Sequence, residues 1–402
     1  MTPTELASRF PDLKQAFAPQ EALVEASRCL YCYDAPCTAA CPTHIDVPKF
    51  IKKIATGNLH GSALTILDAN ILGLSCSRVC PVDVLCEGSC VMHKYNRRPI
   101  EIGRLQRHAM DHFYANSPRI TAGKDNGKHV ACIGAGPASL ACAAELRRLG
   151  FAVTIFDRNP LAGGLNTYGV AEYKLRPPDS LKEVELVKSM GVNFRLGEEV
   201  TDSTEGNFDA FFLGVGLGPM NRLNIPGEEL PGVVDALRFI AFYKTGRPIT
   251  GRHFAVIGAG NTAIDAAIAA RKLGAEQVHL IYRRSESDMP AFANEYEHAR
   301  LEGVEFHWNT KVTRIVGQNS VEAVECGNFR IAVDRVIPAI GQTPQAKLLS
   351  VVGEVDRDTG QTRHPKYFAG GDFINGGREV VDAVADGKRA AKGIADWLAT
   401  GH

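Results

Sequence analysis

Two segments of the chain repeat one local pattern, which constrains its fold more than any other sequence feature. In each segment an apolar, β-rich run leads through a Gly-Ala-Gly turn into a helical stretch and then into a second apolar run. The turns are Gly134–Gly136 and Gly258–Gly260. Glycines at such a turn let backbone N–H groups and the helix N-terminus approach a pyrophosphate. The sequence therefore predicts two βαβ units, each typical of dinucleotide binding.

The first unit covers residues 128–157 and follows a polar stretch, 116–127, that is predicted to be a linker. Ser139 takes the third position of the glycine fingerprint, where a small side chain permits close helix–strand packing. Asp157 ends the second strand, and its carboxylate would accept hydrogen bonds from a ribose. The alternative for Asp157 is an acid in a surface turn.

The second unit covers residues 253–284 and has Ala263 at the third fingerprint position. No acid follows its second strand, which instead continues into Arg283 and Arg284. Guanidinium groups form forked, charge-assisted bonds to phosphate, so this pair favours the 2′-phosphate of NADPH over NADH. The alternative is a solvated pair of surface arginines.

The cysteines are concentrated at the amino-terminal end. Eight of the eleven precede residue 91. They form two groups: Cys29, Cys32, Cys37 and Cys41, then Cys76, Cys80, Cys86 and Cys90. The spacing in each group, with a Cys-Pro element, is typical of iron–sulfur ligation by thiolates on short loops. Structural zinc sites and unliganded thiols are the alternatives, although zinc sites of four cysteines usually have two CxxC knuckles and only Cys29/Cys32 fits that spacing.

The balance of charge excludes several functions. Lys+Arg and Asp+Glu both number 45, so the formal net charge is zero, which argues against nucleic-acid binding and a polybasic membrane anchor. No apolar run approaches the roughly 18 residues needed to cross a bilayer, and the first residues lack a secretory signal. We therefore expect a cytoplasmic protein. Two dinucleotide units beside iron–sulfur ligands indicate electron transfer from NAD(P)H through a flavin to the clusters.

With these motifs the chain resembles the pyridine-nucleotide-binding subunit of bacterial dihydropyrimidine dehydrogenase. It is also similar to the first half of the eukaryotic dihydropyrimidine dehydrogenase and, more distantly, to the glutamate synthase small subunit. The similarity extends over residues 25–398. It includes both cysteine groups, both glycine turns, and the segments Gly163-Gly164-Leu165, Ala339-Ile340-Gly341 and Phe368-Ala369-Gly370-Gly371-Asp372.

The resemblance implies two [4Fe-4S] clusters in an all-helical amino-terminal domain. It assigns one cluster to Cys29, Cys32, Cys37 and Cys90, and the other to Cys41, Cys80, Cys86 and Gln106. Dihydropyrimidine dehydrogenases have a glutamine at the last position, whereas glutamate synthase small subunits have a glutamate. A ligand set built only from cysteines would use Cys76 in place of Gln106.

The resemblance also implies flavin contacts outside the first glycine turn. Gly371 and Asp372 would bind the linker of the flavin, and a helix that begins near Val380 would direct its positive end at the ring. Lys174 and Val380 replace an arginine and a threonine of the eukaryotic enzyme. The complete expected set of cofactor-binding residues is Val79, Gly134, Gly136, Pro137, Ala138, Ser139, Asp157, Gly164, Leu165, Lys174, Gly258, Ala259, Gly260, Asn261, Thr262, Arg283, Arg284, Ala339, Ile340, Gly341, Gly371, Asp372 and Val380.

The expected fold class is α/β, with a helical iron–sulfur domain followed by two Rossmann-like domains, the second inserted in the first. The predicted domains are 1–127 for the clusters, 128–245 and 336–402 for FAD, and 246–335 for NAD(P)H. The expected function is electron input to an FMN-containing partner subunit with iron–sulfur motifs that reduces uracil or thymine. A glutamate synthase small subunit, a stand-alone NAD(P)H oxidoreductase and a redox-sensing module are the alternatives. No catalytic side chain is assigned, because hydride transfer from NADPH to FAD requires none from the chain.

Overall fold

A computed structural model describes residues 3–116, 118–200 and 207–400. These residues form two compact units. The first unit comprises Met1–Asp12, Tyr168–Arg176 and Gly218–Thr343, as far as these are described. The second comprises Leu13–Thr167, Pro177–Leu217 and Pro344–His402 within the same limits.

Helices alternate with strands after an all-helical start. The α-helices are α1 (Pro3–Arg9), α2 (Pro19–Ser27), α3 (Pro36–Ala39), α4 (Val47–Ala55), α5 (Leu59–Ala69), α6 (Gly73–Val79), α7 (Ile102–Ala115), α8 (Pro137–Arg148), α9 (Leu165–Tyr168), α10 (Pro177–Ser189), α11 (Ala236–Lys244), α12 (Asn261–Lys272), α13 (Ala293–Leu301), α14 (Ala346–Val352), α15 (Asp372–Asn375) and α16 (Val380–Ala399). The strands are β1 (His129–Ile133), β2 (Ala152–Asp157), β3 (Asn193–Leu196), β4 (Ala210–Leu213), β5 (His253–Ile257), β6 (Gln277–Ile281), β7 (Glu305–His307), β8 (Arg314–Val316), β9 (Ala323–Cys326), β10 (Phe329–Ala332), β11 (Arg335–Pro338) and β12 (Tyr367–Ala369).

The second unit joins helices α2–α7, from the cysteine-rich part of the chain, to a five-stranded parallel sheet in the order β12-β4-β1-β2-β3. Helix α4 illustrates the local reasons for the helical part. The Asp46 side chain caps α4 by accepting a hydrogen bond from the Lys49 N–H at 3.1 Å, and Phe50 and Ile54 are buried on its inner face. Capping satisfies a terminal N–H, and the buried apolar side chains stabilise the helix against its neighbours.

Helices α8 and α16 pack closely against each other in the unit that contains the five-stranded sheet. A Cβ atom at Gly387 in α16 would collide with the carbonyl of Ala138 in α8, so only glycine permits the approach. Strand β1 pairs in parallel with both β2 and β4. The first glycine turn therefore lies at the carboxyl end of the central strand, where ligands bind in open α/β sheets.

Polar side chains tie the helical part to the sheet part of the second unit. The Glu183 carboxylate accepts hydrogen bonds from the N–H groups of Leu74 and Ser75 at 2.8 and 3.0 Å. The Arg148 guanidinium donates to Leu67 O at 2.8 Å, and the Lys388 ammonium donates to Ala69 O at 2.9 Å. These bonds satisfy backbone groups at the start of α6 and the end of α5 that helices leave without internal partners.

The first unit contains a four-stranded parallel sheet in the order β11-β5-β6-β7 and an antiparallel sheet in the order β10-β9-β8. Apolar side chains from both sheets, among them Ala255, Ile281, Ile315 and Val324, form one buried cluster. Strand β11 crosses the boundary predicted between 335 and 336, because its residues pair with β5. The structure groups residues as far as Thr343 with this unit, and the predicted domain limits remain predictions.

The helical and βαβ predictions hold for the described residues. Strands β1, β2, β5 and β6 and helices α8 and α12 form the two expected units. Residues 118–126 have neither helix nor strand, as expected for a linker, and Ser117 of the predicted linker lies outside the described residues. The expected α/β fold class is confirmed.

Candidate cofactor and cluster sites

Three cysteines that are close in sequence and a fourth from about 50 residues later line one cavity. Cys29, Cys32, Cys37 and Cys90 surround it together with apolar side chains such as Ile51. Burial raises the pKa of Cys29, and burial raises the pKa of Cys37 to about 12, with further increases from the neighbouring thiols. Thiols gathered in an apolar cavity need a cation to become thiolates, and iron provides that charge. This donor set fits the first predicted [4Fe-4S] cluster.

A second group of thiols lies around the end of α6. Burial raises the pKa of Cys86 well above its usual range, and the nearby Cys80 and Cys41 raise it further. A hydrogen bond with the Cys76 side chain and burial together raise the pKa of Cys80. The ammonium of Lys14 donates to Cys80 O at 2.7 Å and opposes this increase. The proximity of Cys41, Cys80 and Cys86 fits the second predicted cluster.

Both candidates for the fourth ligand of this second group are buried near α6. Gln106 is 7% exposed, and its side-chain nitrogen donates to Gly73 O at 2.7 Å. No hydrogen bond to Gln106 Oε1 is present among the described residues, so this oxygen could serve as a ligand. Cys76 is 3% exposed, lies beside Cys80 and accepts a hydrogen bond from Asn70 at 3.1 Å. The assignment of Gln106 as the fourth ligand remains a prediction. Cys76 remains the alternative ligand, because its side chain contacts that of Cys80.

The Asp157 side chain is hydrogen-bonded to the first glycine turn. Its carboxylate accepts a hydrogen bond from the Ala135 N–H at 2.7 Å, and its other oxygen accepts from the Asn159 N–H at the same distance. Gly134 has φ +92°, a conformation that favours glycine. Ser139 is fully buried beside Gly214, as its predicted packing role requires. The carboxylate therefore lies beside the turn that the pyrophosphate motif predicts.

Two further glycine segments approach the same turn. A Cβ atom at Gly164, which has φ +55°, would lie 2.8 Å from the Cα of Gly136. A Cβ atom at Gly371, with φ +69°, would lie 2.8 Å from the Cβ of Ala138. Asp372 follows directly, and burial raises the pKa of its carboxyl group. The structure thus brings these predicted flavin contacts together at the N-terminus of α8, which forms a cradle that side chains would fill.

The remaining predicted contacts of the second unit lie at helix ends. Pro137 and Val380 are the first residues of α8 and α16, Leu165 is the first of α9, and Val79 is the last of α6. Glu379 caps α16 and also acts electrostatically on Cys80, which indicates that the start of α16 lies near the second cysteine group. The flavin contacts of these residues remain predictions.

The second glycine turn is the predicted nucleotide site of the first unit. Gly258 has φ +133°, and a Cβ atom there would collide with the carbonyl of Ala339. Gly260 caps α12 and has open space where its Cβ would be, so a ligand can approach the backbone. Asn261 Oδ1 accepts a hydrogen bond from the Phe292 N–H at 3.0 Å. The other predicted contacts of this unit lie on the same two segments: Ala259, Thr262, Ile340 and Gly341.

Arg283 and Arg284 follow β6 and are exposed. Among the described residues neither guanidinium forms an ion pair with a carboxylate. Both groups are therefore free to bind an anion. This arrangement fits a 2′-phosphate, although exposure alone also fits a solvated pair.

Lys174, expected to contact the flavin, lies in a buried ionic cluster of the first unit. Its ammonium is 2.7 Å from Asp265 Oδ1 and 2.8 Å from Glu295 Oε2. The Tyr173 hydroxyl donates to the same oxygen of Asp265 at 2.6 Å. Burial alone would lower the pKa of Lys174, but the two carboxylates outweigh it and raise the pKa. These contacts give Lys174 a structural role that the sequence did not indicate.

Sequence reasoning also missed Lys14, Glu183 and Glu379. Lys14 is near the second cysteine group, and Glu183 holds the start of the helix that carries Cys76. Their partners lie far away in the sequence, so no local spacing could have revealed them.

Family models match two parts of the chain. Residues 6–118 match the model described as dihydropyrimidine dehydrogenase domain II, 4Fe-4S cluster. Residues 128–387, more than half of the chain, match the model described as pyridine nucleotide-disulphide oxidoreductase. The chain belongs to the pyridine nucleotide-disulphide oxidoreductase family. In this chain, the part that matches the family follows a 4Fe-4S domain.

Two curated relatives align with nearly the whole chain. The glutamate synthase [NADPH] small chain of Escherichia coli K12 is 33% identical over 444 residues, with 97% of this chain and 94% of the relative covered. The NAD-dependent dihydropyrimidine dehydrogenase subunit PreT of Escherichia coli O157:H7 is 34% identical over 404 residues, with 96% of this chain and 97% of the relative covered. The resemblance stated from the motifs is confirmed.

Two solved structures share the fold of part of the chain. Thioredoxin reductase of T. acidophilum aligns with a TM-score of 0.57 at 20% identity, over 67% of this chain and 98% of that one. FprA of Mycobacterium tuberculosis in complex with NADPH aligns with a TM-score of 0.56 at 18% identity, over 68% of this chain and 85% of that one.

This family member is an NAD(P)H-dependent flavin oxidoreductase with FAD and [4Fe-4S] clusters, as the motifs predicted. Among the described residues, no helix has the length and apolar character needed to cross a membrane.

Proposed function

We propose that the chain is the electron-input subunit of a dihydropyrimidine dehydrogenase, working in the cytoplasm, where thiols stay reduced. The observation that carries the proposal is the alignment with PreT. That alignment extends over 404 residues, close to the 402 of this chain, whereas the alignment with the glutamate synthase small chain needs 444 and therefore many more gaps. Gln106, the residue type expected of dihydropyrimidine dehydrogenases, supports the same choice.

The chain's own residues would bind and orient the cofactors. The Gly134–Gly136 turn and Gly371 would bind the FAD pyrophosphate, and Asp157 would accept hydrogen bonds from its ribose. The thiols around Cys29 and Cys80 would hold the two clusters. Bound FAD accepts two electrons as a hydride and releases them singly, which couples a nicotinamide donor to one-electron acceptors.

Arg283 and Arg284 support NADPH as the donor. The printed names of the relatives differ on this point, since the glutamate synthase small chain is named for NADPH and PreT for NAD. The exposed guanidinium groups, which form no ion pair within 4 Å in the described part of the chain, favour the nucleotide with the extra phosphate.

Substrate reduction is proposed to take place on a partner. The described sheets have five, four and three strands, and none of them is the (β/α)8 barrel that a substrate domain of this kind would use. We infer an FMN-containing catalytic subunit with iron–sulfur motifs, which would reduce uracil or thymine. Electrons would leave this chain through its clusters.

Reconstitution tests the proposal. The isolated, cofactor-loaded chain should oxidise NADPH with ferricyanide but should not reduce uracil. Adding an FMN-containing subunit with ferredoxin motifs should confer uracil-dependent NADPH oxidation at 340 nm, whereas a large glutamate synthase subunit should not confer glutamate formation. The converse pattern would assign the chain to glutamate synthase.

Two cysteine variants test whether electrons leave through the first cluster. Cys29→Ser removes a predicted ligand and should abolish uracil reduction in the reconstituted complex. Cys326→Ala replaces a buried cysteine in β9, far in sequence from both cysteine groups, and should retain it. Equal activity in the two variants would contradict electron exit through the first cluster.

A further inference from the structure

Three potential metal ligands meet on neighbouring strands of the first unit. Strands β6 and β7 pair in parallel, with His279 opposite Glu305 and Ile281 opposite His307. Residues opposite each other in a sheet, and residues two apart on one strand, face the same side. His279, Glu305 and His307 therefore share one face of the sheet, at its β7 edge.

Their ligand atoms have the spacing of a metal site. His279 Nδ1 lies 3.1 Å from His307 Nε2 and 3.2 Å from Glu305 Oε2, and all three atoms lie within 4.8 Å of one another. Bonds of about 2.0–2.1 Å to a tetrahedral Zn²⁺ ion separate neighbouring ligand atoms by about 3.3 Å. The two distances from His279 Nδ1 are close to this value, and the third pair of atoms lies within 4.8 Å, so one ion could contact all three atoms after small adjustments.

The chemistry of the group also favours zinc. His279 is the only residue within ion-pairing distance of Glu305 in the described part of the chain. Two imidazoles and one carboxylate form a donor set that zinc accepts, with a fourth position left for water.

We propose that His279, Glu305 and His307 form a Zn²⁺ site that fastens the edge strand β7 to β6. Strand β7 has three residues and pairs on one side only, so it is held by few backbone hydrogen bonds. An ion bound by ligands from both strands links them directly. The site is separate from the cysteine groups and from the glycine turns, and the proposed function does not depend on it.

The test measures zinc bound to the protein loaded with FAD and clusters. The wild type, Glu305→Gln and His307→Gln are dialysed anaerobically against a zinc buffer, and zinc, iron and FAD are then quantified by mass spectrometry and absorbance. We expect about one zinc per chain in the wild type, with at least tenfold weaker binding in each variant. Iron at about eight per chain in all samples excludes zinc in the cluster positions.

His253→Gln is the matched control. His253 lies on β5 beside His279 but outside the group of ligand atoms, so this variant should bind zinc like the wild type. Zinc should also raise the midpoint of thermal unfolding of the wild type and of His253→Gln, but not that of Glu305→Gln. The proposal is overturned by no zinc uptake in the wild type, by uptake that persists in both ligand variants, or by equal loss in His253→Gln.

Discussion

Replacing Lys174 by methionine separates the two roles considered for this residue. The substitution leaves the carboxylates of Asp265 and Glu295 in a site where both side chains are about one-tenth exposed, without the ammonium that lies 2.7 and 2.8 Å from them. Removing one partner of a buried ion pair costs about 3–5 kcal/mol of folding free energy. For a unit of this size, such a loss lowers the unfolding midpoint by roughly 10 °C.

Differential scanning calorimetry of the loaded protein would measure this effect, together with the FAD content per chain. We expect a lower midpoint for the first unit at unchanged FAD content, and partial recovery in Lys174→Met/Glu295→Gln. Lys188→Met serves as the control, because Lys188 is 57% exposed and its one ion pair among the described residues is with Glu185 at 3.7 Å, so its loss should cost about 0.5 kcal/mol or less. An unchanged midpoint with reduced FAD content would refute the structural role and restore the predicted flavin contact.

Three further outcomes are expected. Gln106→Ala should disturb the electron paramagnetic resonance signal of one reduced cluster while Cys76→Ala leaves both intact; the reverse result would make Cys76 the ligand. Replacing Arg283 and Arg284 by serine should raise the KM for NADPH by roughly 10- to 150-fold, because a lost charge-assisted bond costs about 1.5–3 kcal/mol. The KM for NADH should change little. A wild-type protein that prefers NADH would contradict this prediction. Burial raises the pKa of Glu183 from an ordinary 4.5 to about 7, so stability is highest below pH 4.5 with respect to this group, and about 3 kcal/mol is lost as the pH rises through 7. In urea unfolding measured between pH 5 and 8, Glu183→Gln should reduce the dependence of the unfolding free energy on pH. An unchanged pH dependence would contradict the contribution assigned to Glu183.

The sequence predicted features that depend on local geometry. Gly134 and Gly258 were identified because each lies in a strand-to-helix turn where glycine lets a pyrophosphate approach the backbone, and the structure has positive φ values of +92° and +133° there. Lys174 was expected at the flavin because the resemblance aligns it with a flavin contact. Its observed partners, Asp265 and Glu295, lie on helices about 90 and 120 residues later in the chain, and no local pattern predicts such packing.

The choice between two ligands was beyond the sequence for a related reason. Spacing identifies groups of cysteines, but it does not tell which side chain occupies the last position around a cluster. Gln106 and Cys76 come from different helices, and both are buried beside α6. Only their relation to bound iron can distinguish them.

The bonds from Arg148 and Lys388 to the carboxyl end of α5, and from Glu183 to the start of α6, make the helical part a fixed neighbour of the five-stranded sheet. A domain that swings to carry electrons would need a hinge at this boundary, whereas here hydrogen bonds cross it, buried at Glu183 and partly buried at Arg148 and Lys388. Electron tunnelling from flavin to cluster would therefore occur over a constant separation, and its rate should not change with solvent viscosity. Adaptation to a new electron acceptor would then change residues on the surface of the chain. The distance between the flavin and the cluster would stay the same.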